Sequence, residues 1–151
     1  MTVIDFKAFI GRLATTSGET ILPFFRTSLS VEDKSINRDF DPVTEADRAA
    51  EAVMRRLIKA NFPQHGIVGE EFGDEHTDAD YVWVLDPIDG TKSFISGVPL
   101  FGTLIALTYH GAPVLGVIDQ PISGERWIGA AGRKSSFNGK PIKTRACGRI
   151  K

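Results

Sequence analysis

Three short acidic groups sit at places where solvated charge is not the obvious explanation: Asp41/Asp47, Glu70/Glu71 and Asp86/Asp89. The segment Asp86-Pro87-Ile88-Asp89-Gly90-Thr91 directly follows the apolar run 81–85, so two carboxylates lie where a buried strand is expected to end. Pro87 fixes one backbone angle and Gly90 frees another. Such a turn can aim both carboxylates and the Ile88 carbonyl at one point. Hard divalent cations such as Mg²⁺ take oxygen ligands of this kind. A helix starting after Gly90 would add free N–H groups, which favour an anion such as a phosphate. The alternative is a plain turn with a helix cap, since Asp and Gly are ordinary turn residues. For this segment alone, the plain turn is the preferred reading.

Gly69-Glu70-Glu71 closes a second apolar run in the same way. It too reads as an exposed acidic turn, because Asp74, Glu75, Asp78 and Asp80 follow. Taken together, Glu70/Glu71 and Asp86/Asp89 place four carboxylates at neighbouring strand ends. Uncompensated, they repel one another, and divalent cations are the usual remedy. Thr44 and Asp47 have capping-box spacing, with Asp replacing the usual Glu. Asp47 can serve that cap and also orient a hydroxyl or water beside the metals. Metal chemistry of this kind needs no Cys, Ser or His nucleophile. His65, His76 and His110 lie in turn-like contexts, and Cys147 has no His nearby in sequence.

The elements that must position these groups follow from periodicity. Val3, Phe6, Ile10, Leu13, Ser17, Ile21 and Phe24 recur at helical steps, so a helix is expected over 3–25, frayed by Pro23. Residues 27–43 are polar and carry no clean period, which suggests a loop. A second helix is expected over 45–61, with Thr44 as N-cap, Ala46, Ala49, Ala50, Val53, Leu57 and Ile58 as its apolar face, and Pro63 as its stop. Strands are expected at 67–68, 81–85, 103–109, 114–119 and 126–131, and Asn138-Gly139 signals a tight turn. The 103–109 and 114–119 runs are almost continuously apolar, so both sheet faces are expected to be covered. The fold class is α+β: two N-terminal helices packed on a mostly antiparallel sheet.

Composition bounds the rest. The chain has 151 residues, with 18 Lys+Arg and 19 Asp+Glu for a net charge of −1, and is 42% hydrophobic and 25% charged. These are globular values, and they exclude a disordered chain, a collagen and a coiled coil. The single Cys147 excludes an internal disulfide framework and a Cys-rich zinc site. Asp5 and Lys7 interrupt the first apolar stretch, so no signal peptide is expected. No apolar run approaches the length of a membrane span. A soluble, cytoplasmic protein is the expectation. Residues 133–151 carry seven Lys/Arg and no acid, a feature nucleic acid could use. A solvated domain end is the preferred reading, because no aromatic ladder accompanies the charge.

The three acidic groups, in this order and at these intervals, resemble the inositol monophosphatase-like family of metal-dependent phosphomonoesterases. Asp41-Pro42-Val43-Thr44-Glu45-Ala46-Asp47, Glu70-Glu71 and Asp86-Pro87-Ile88-Asp89-Gly90-Thr91 carry the resemblance, which extends from the first helix to about residue 146. Within the family, the residues after Gly90, Asp119-Gln120-Pro121 and Glu125-Arg126-Trp127 are most similar to histidinol-phosphatases of the inositol-monophosphatase type. Ser93 stands where inositol phosphatases usually have Asn and 3′-phosphoadenosine phosphatases usually have Glu. Trp127 reads equally as a sheet aromatic or a substrate contact.

The resemblance implies the N-terminal half of a layered α/β sandwich and a site for two or three Mg²⁺ ions. It implies that Glu70, Asp86 and the Ile88 carbonyl hold one ion, that Asp86 bridges to a second held by Asp89, and that Glu70 shares a third. Glu71 would accept from water near the metals. Thr91 would hydrogen-bond the attacking water, with Asp47 holding the Thr91 hydroxyl. The Gly90 and Thr91 N–H groups would hold the phosphate, with Glu70, Ile88 and Asp89 facing the substrate. Lys34 would approach the phosphate from the polar loop. The partner implied is a small phosphate monoester, with neither membrane nor nucleic acid, and a homodimer is a further implication. No Trp-Asp pair occurs, since Trp83 precedes Val84 and Trp127 precedes Ile128. The expectation is therefore a metal- and phosphate-binding domain over 1–146 and a tail over 147–151, without the C-terminal domain that completes the second metal site. The expected activity is Mg²⁺-dependent hydrolysis of L-histidinol phosphate. Inositol 1-phosphate or a related sugar phosphate is the alternative, as is a catalytically incomplete fragment acting as a binding or assembly module. An RNA-associated regulator using the basic end ranks last.

Overall fold

The computed structural model describes residues 5–28, 31–33 and 42–148. Helix α1 (Phe6–Ile21) starts where the Asp5 carboxylate accepts the Ala8 N–H at 3.0 Å, an N-cap that satisfies one of the free amides of the first turn. It tightens into a 3₁₀ turn over Leu22–Phe24, which contains Pro23. Helix α2 (Glu45–Asn61) ends just before Pro63, as expected. Its buried face differs from the expected one: Asp47, Glu51 and Arg55 lie inside with Ala46, Ala50, Met54 and Ile58, while Ala49, Val53 and Leu57 are only half-buried.

Two short strands, β1 (Val31–Asp33) and β2 (Pro42–Thr44), pair antiparallel within the region expected to be loop. The main sheet contains β3 (Gly66–Gly69), β4 (Gly73–Glu75), β5 (Tyr81–Asp89), β6 (Gly102–Tyr109), β7 (Ala112–Gln120), β8 (Glu125–Ala130), β9 (Ser136–Phe137) and β10 (Lys140–Pro141). Its order is β10-β9-β8-β7-β6-β5-β3-β4. Every pairing is antiparallel except β3 with β5. Helix α3 (Thr91–Ile95) leads from β5 toward β6.

Both long helices pack on one face of the sheet. Ile10 and Leu13 of α1 and Met54 and Ile58 of α2 meet Ile67, Trp83, Leu85, Ile105, Leu107 and Val117. His65 lies in this core, accepting the Trp83 indole N–H at 3.0 Å and stacked on Phe62. A second cluster of Ile21, Ala46, Ala50, Ile88, Phe94 and Phe101 fixes α3 beneath the end of β5. On the opposite sheet face, Val84 is 38% and Ile118 51% exposed. The apolar content of 103–109 and 114–119 therefore does not produce two covered faces. Among the described residues, no helix is long and apolar enough to cross a membrane.

Candidate functional site

Strand register brings two of the acidic groups together. β3 runs parallel to β5 with Gly69 opposite Leu85, so the residues that follow, Glu70 and Asp86, emerge side by side. The expectation of a Pro-Gly turn at Asp86–Asp89 is corrected: these residues continue β5. Asp86 pairs with Leu104 and Asp89 with Gly102, which leaves one extra residue on β5 between the two pairs. In a regular strand, residues three apart point to opposite faces. A one-residue bulge shifts that phase, so both carboxylates can serve one side. Pro87 has no N–H to lose at such a place, and its carbonyl accepts the buried Thr103 hydroxyl at 2.8 Å.

Asp86 is the electrostatic centre. Its carboxyl is raised from 3.8 to about 8. Burial is the largest cause, followed by a hydrogen bond with Glu70 and the negative charges of Glu70, Asp89 and Asp47. One of its oxygens, Oδ1, is wholly buried and has no hydrogen-bond partner among the described residues. Orphaned buried acceptors are rare because each forfeits its solvation. Among the described residues, no three His, Cys, Asp or Glu side chains are grouped closely enough to hold an ion by themselves. The donor set nevertheless fits a hard divalent cation: all its atoms are oxygens, they crowd around a buried carboxyl, and one has no other partner.

Asp47 completes the expected capping box and also lies beside Thr91. The Thr44 N–H and hydroxyl donate to its Oδ2 at 2.9 and 2.6 Å, and its own N–H donates to Thr44 Oγ1 at 3.5 Å, completing the capping box. Its other oxygen, Oδ1, lies 3.4 Å from the Thr91 hydroxyl. Burial raises the Asp47 carboxyl, and the hydrogen bonds from Thr44 and Thr91 work against that rise. The Thr91 hydroxyl has one proton and two acceptors, Asp47 and, nearer at 3.0 Å, the Ile88 carbonyl. Gly90 joins β5 to α3 at φ +93°, and a Cβ there would lie 2.9 Å from the Leu100 carbonyl. Both the left-handed backbone and the close approach require glycine.

Of the expected site residues, Glu70, Asp86, Asp89, Asp47, Ile88, Gly90 and Thr91 thus converge at one end of β5. Glu71 lies in the same turn as Glu70, and its N–H is held from α2. Lys34 and Asp41 lie outside the described residues. Other stretches that carried the resemblance form clasps within the fold. Asp119 pairs with Arg126 at 2.6 Å, and Arg126 also reaches Gly11 and Thr15 of α1. The Gln120 amide bridges Pro99, Phe101, Ile122 and Ser123. Trp127 packs its ring 4.9 Å from that of Phe137, on the strand beside it.

Two interior groups escaped the sequence reading. Glu51 is fully buried, and the N–H groups of Glu71 and Phe72 donate to it at 2.7 and 3.0 Å. Arg55 donates to Glu51 at 2.9 Å and to Glu75 at 3.0 Å, and also to the Gly73 carbonyl. The available signal was their helical step from Asp47: residues 47, 51 and 55 share one stripe.

These features define an α+β protein with an acidic, oxygen-lined site where a bulged strand meets a short helix. The model of the inositol monophosphatase family matches residues 5–151, and the chain belongs to that family. The chain is 53% identical over 152 residues to the Arabidopsis thaliana protein named bifunctional phosphatase IMPL2, chloroplastic, covering 99% of this chain and 43% of that one. A Chlorobaculum parvum histidinol-phosphatase is 47% identical over 135 residues, covering 89% of this chain and 51% of its own. Among solved structures, the extragenic suppressor protein suhB of Bartonella henselae superposes with a TM-score of 0.89 at 28% identity, over 95% of this chain and 56% of that one. The chain thus spans about half the length of the relatives it matches.

Proposed function

We propose that the chain carries the metal- and phosphate-binding part, over 1–146, of a Mg²⁺-dependent phosphomonoesterase, with L-histidinol phosphate as substrate. The observation that carries this reading is the buried Oδ1 of Asp86, unpartnered among the described residues, beside Glu70, Asp89 and Asp47. Family membership and a relative named histidinol-phosphatase support it. Phosphate monoesters hydrolyse extremely slowly without catalysis, so the barrier must fall a long way. Glu70, Asp86, the Ile88 carbonyl and Asp89 would hold the ions, and Mg²⁺ when bound supplies Lewis acidity and a more acidic water.

The chain's own groups do the rest. Asp47 offers the Thr91 proton a second acceptor beside the nearer Ile88 carbonyl. With the proton on the Asp47 side, the carbonyl would be free to bind a cation and the Thr91 oxygen able to accept from a water. The Gly90 and Thr91 N–H groups hold the phosphate. Glu71 would accept from water near the metals, and Lys34 is assigned the positive charge that approaches the phosphate. The single exposed Cys147 suits a reducing compartment such as the cytoplasm.

The test is phosphate release by this chain from histidinol phosphate and inositol 1-phosphate, with and without Mg²⁺. Mg²⁺-dependent release that favours histidinol phosphate and disappears in Asp86→Asn is expected. A preference for inositol 1-phosphate would replace the substrate, and release that survives chelation would overturn the metal reading. A second reading, a binding or assembly module that pairs as a homodimer, is favoured by the exposed apolar Val84 and Ile118 on one sheet face. No phosphate release together with a dimer in sedimentation would favour it.

A further inference from the structure

The turn that carries Glu70 has no strand pairing of its own. β3 and β4 pair up to Gly69 opposite Gly73, leaving Glu70, Glu71 and Phe72 as the connection. The turn is held from below, by α2. The two carboxylate oxygens of Glu51 are both engaged: Oε2 accepts the Glu71 N–H, and Oε1 accepts the Phe72 N–H and the Arg55 Nε–H. Arg55 in turn bonds Glu75 and the Gly73 carbonyl, and Lys59 closes the chain on Glu75 at 2.7 Å. Two of the three residues of the turn, and the start of β4 after it, are therefore tied to one helix by charge-assisted bonds, which are shorter and stronger than neutral ones. Gly69 permits this approach, because a Cβ there would run into Glu51 Oε1 and Arg55. The same helix carries Asp47, one turn before Glu51, so α2 sets the distance between the two halves of the acidic site.

We propose that Glu51, clasped by Arg55, is a positioning residue that fixes the Glu70–Phe72 turn and so sets the affinity of the Glu70/Asp86 pair for a divalent cation. This inference rests on the cation-site reading above. A ligand carboxylate on a loose turn must be ordered when the ion binds, and that ordering is subtracted from the affinity. Glu51 removes the cost in advance without touching the ion. Glutamine cannot replace it: both oxygens face donors, so either orientation of the amide turns an NH₂ toward an N–H. Arg55 keeps Glu75 and the Gly73 carbonyl in that variant, so it is not left as an unpaired buried charge.

The experiment compares the whole chain with Glu51→Gln, Gly69→Ala, Asp86→Asn and, as a control for general destabilisation, the core variant Met54→Ala. Mn²⁺ binding is read by electron paramagnetic resonance of the free ion, and amide hydrogen exchange is read residue by residue. Glu51→Gln and Gly69→Ala are expected to weaken Mn²⁺ binding tenfold or more and to speed exchange at Glu71 and Phe72 at least tenfold. Met54→Ala is expected to keep its Mn²⁺ affinity within twofold. If Glu51→Gln does not fold, Gly69→Ala decides, since it pushes Glu51 off the turn while leaving Glu51 and every ligand residue unsubstituted. A folded variant with unchanged Mn²⁺ affinity, or unchanged exchange at Glu71 and Phe72, overturns the proposal. If Asp86→Asn binds Mn²⁺ like the parent chain, the cation-site reading fails instead, and the exchange rates alone decide the role of Glu51 in the turn.

Discussion

A carboxyl that titrates at about 8 links the site to folding through a single proton. Asp86 binds that proton more tightly in the folded chain than at the ordinary value of 3.8. Its contribution to stability is therefore fully present below pH 3.8 and is lost as the pH rises through about 8. In chelator, the parent chain should lose stability relative to Asp86→Asn across that window and track it above. Urea unfolding at stepped pH checks this, and parallel curves throughout would remove Asp86 as the source. A divalent cation must displace the same proton. Mn²⁺ affinity should thus rise about tenfold per pH unit below about 8 and level off above it. Titration calorimetry at stepped pH measures the slope, and a flat profile would place the ion elsewhere.

The helix and the bulged strand differ in how plainly their sequences announce them. Thr44 and Asp47 declare the start of α2 because a capping box is local chemistry, complete within four residues. Thr44→Ala should cost about 1 kcal/mol, read as a lower urea midpoint. It should also weaken Mn²⁺ binding, because Asp47 loses its hydroxyl donor. Gly90 is equally legible, and Gly90→Ala should cost at least about 1–2 kcal/mol for the left-handed backbone alone. Thermal unfolding checks the loss, and a neutral substitution would mean that the link between β5 and α3 relaxes freely. The bulge at Pro87 and Ile88 was not legible, because the extra residue exists only relative to β6. Glu51 and Arg55 were hidden for a related reason. Charged residues on a helix ordinarily face water, and only the turn at Glu70–Phe72, twenty residues on, supplies the donors that bring Glu51 inside.

For the whole molecule, the consequence of one-sided helix packing is concentrated in two adjacent residues. Val117 and Ile118 are both large and apolar, and the sequence reading gave both a covered environment. Strand alternation separates them: Val117 points into the helix-covered core at 3% exposure, and Ile118 points out at 51%. Substitution by lysine should tell the faces apart. Val117→Lys buries a charge against Leu13 and Trp83 in the core cluster and should cost more than about 4 kcal/mol, a large part of a domain's total stability. Ile118→Lys replaces a half-exposed side chain and should change stability by no more than about 0.5 kcal/mol. Urea midpoints of the two variants decide. A large loss at Ile118 would mean that the outer face is buried in solution, which a homodimer would do, and a sedimentation shift on Ile118→Lys would then identify the copy that covers it.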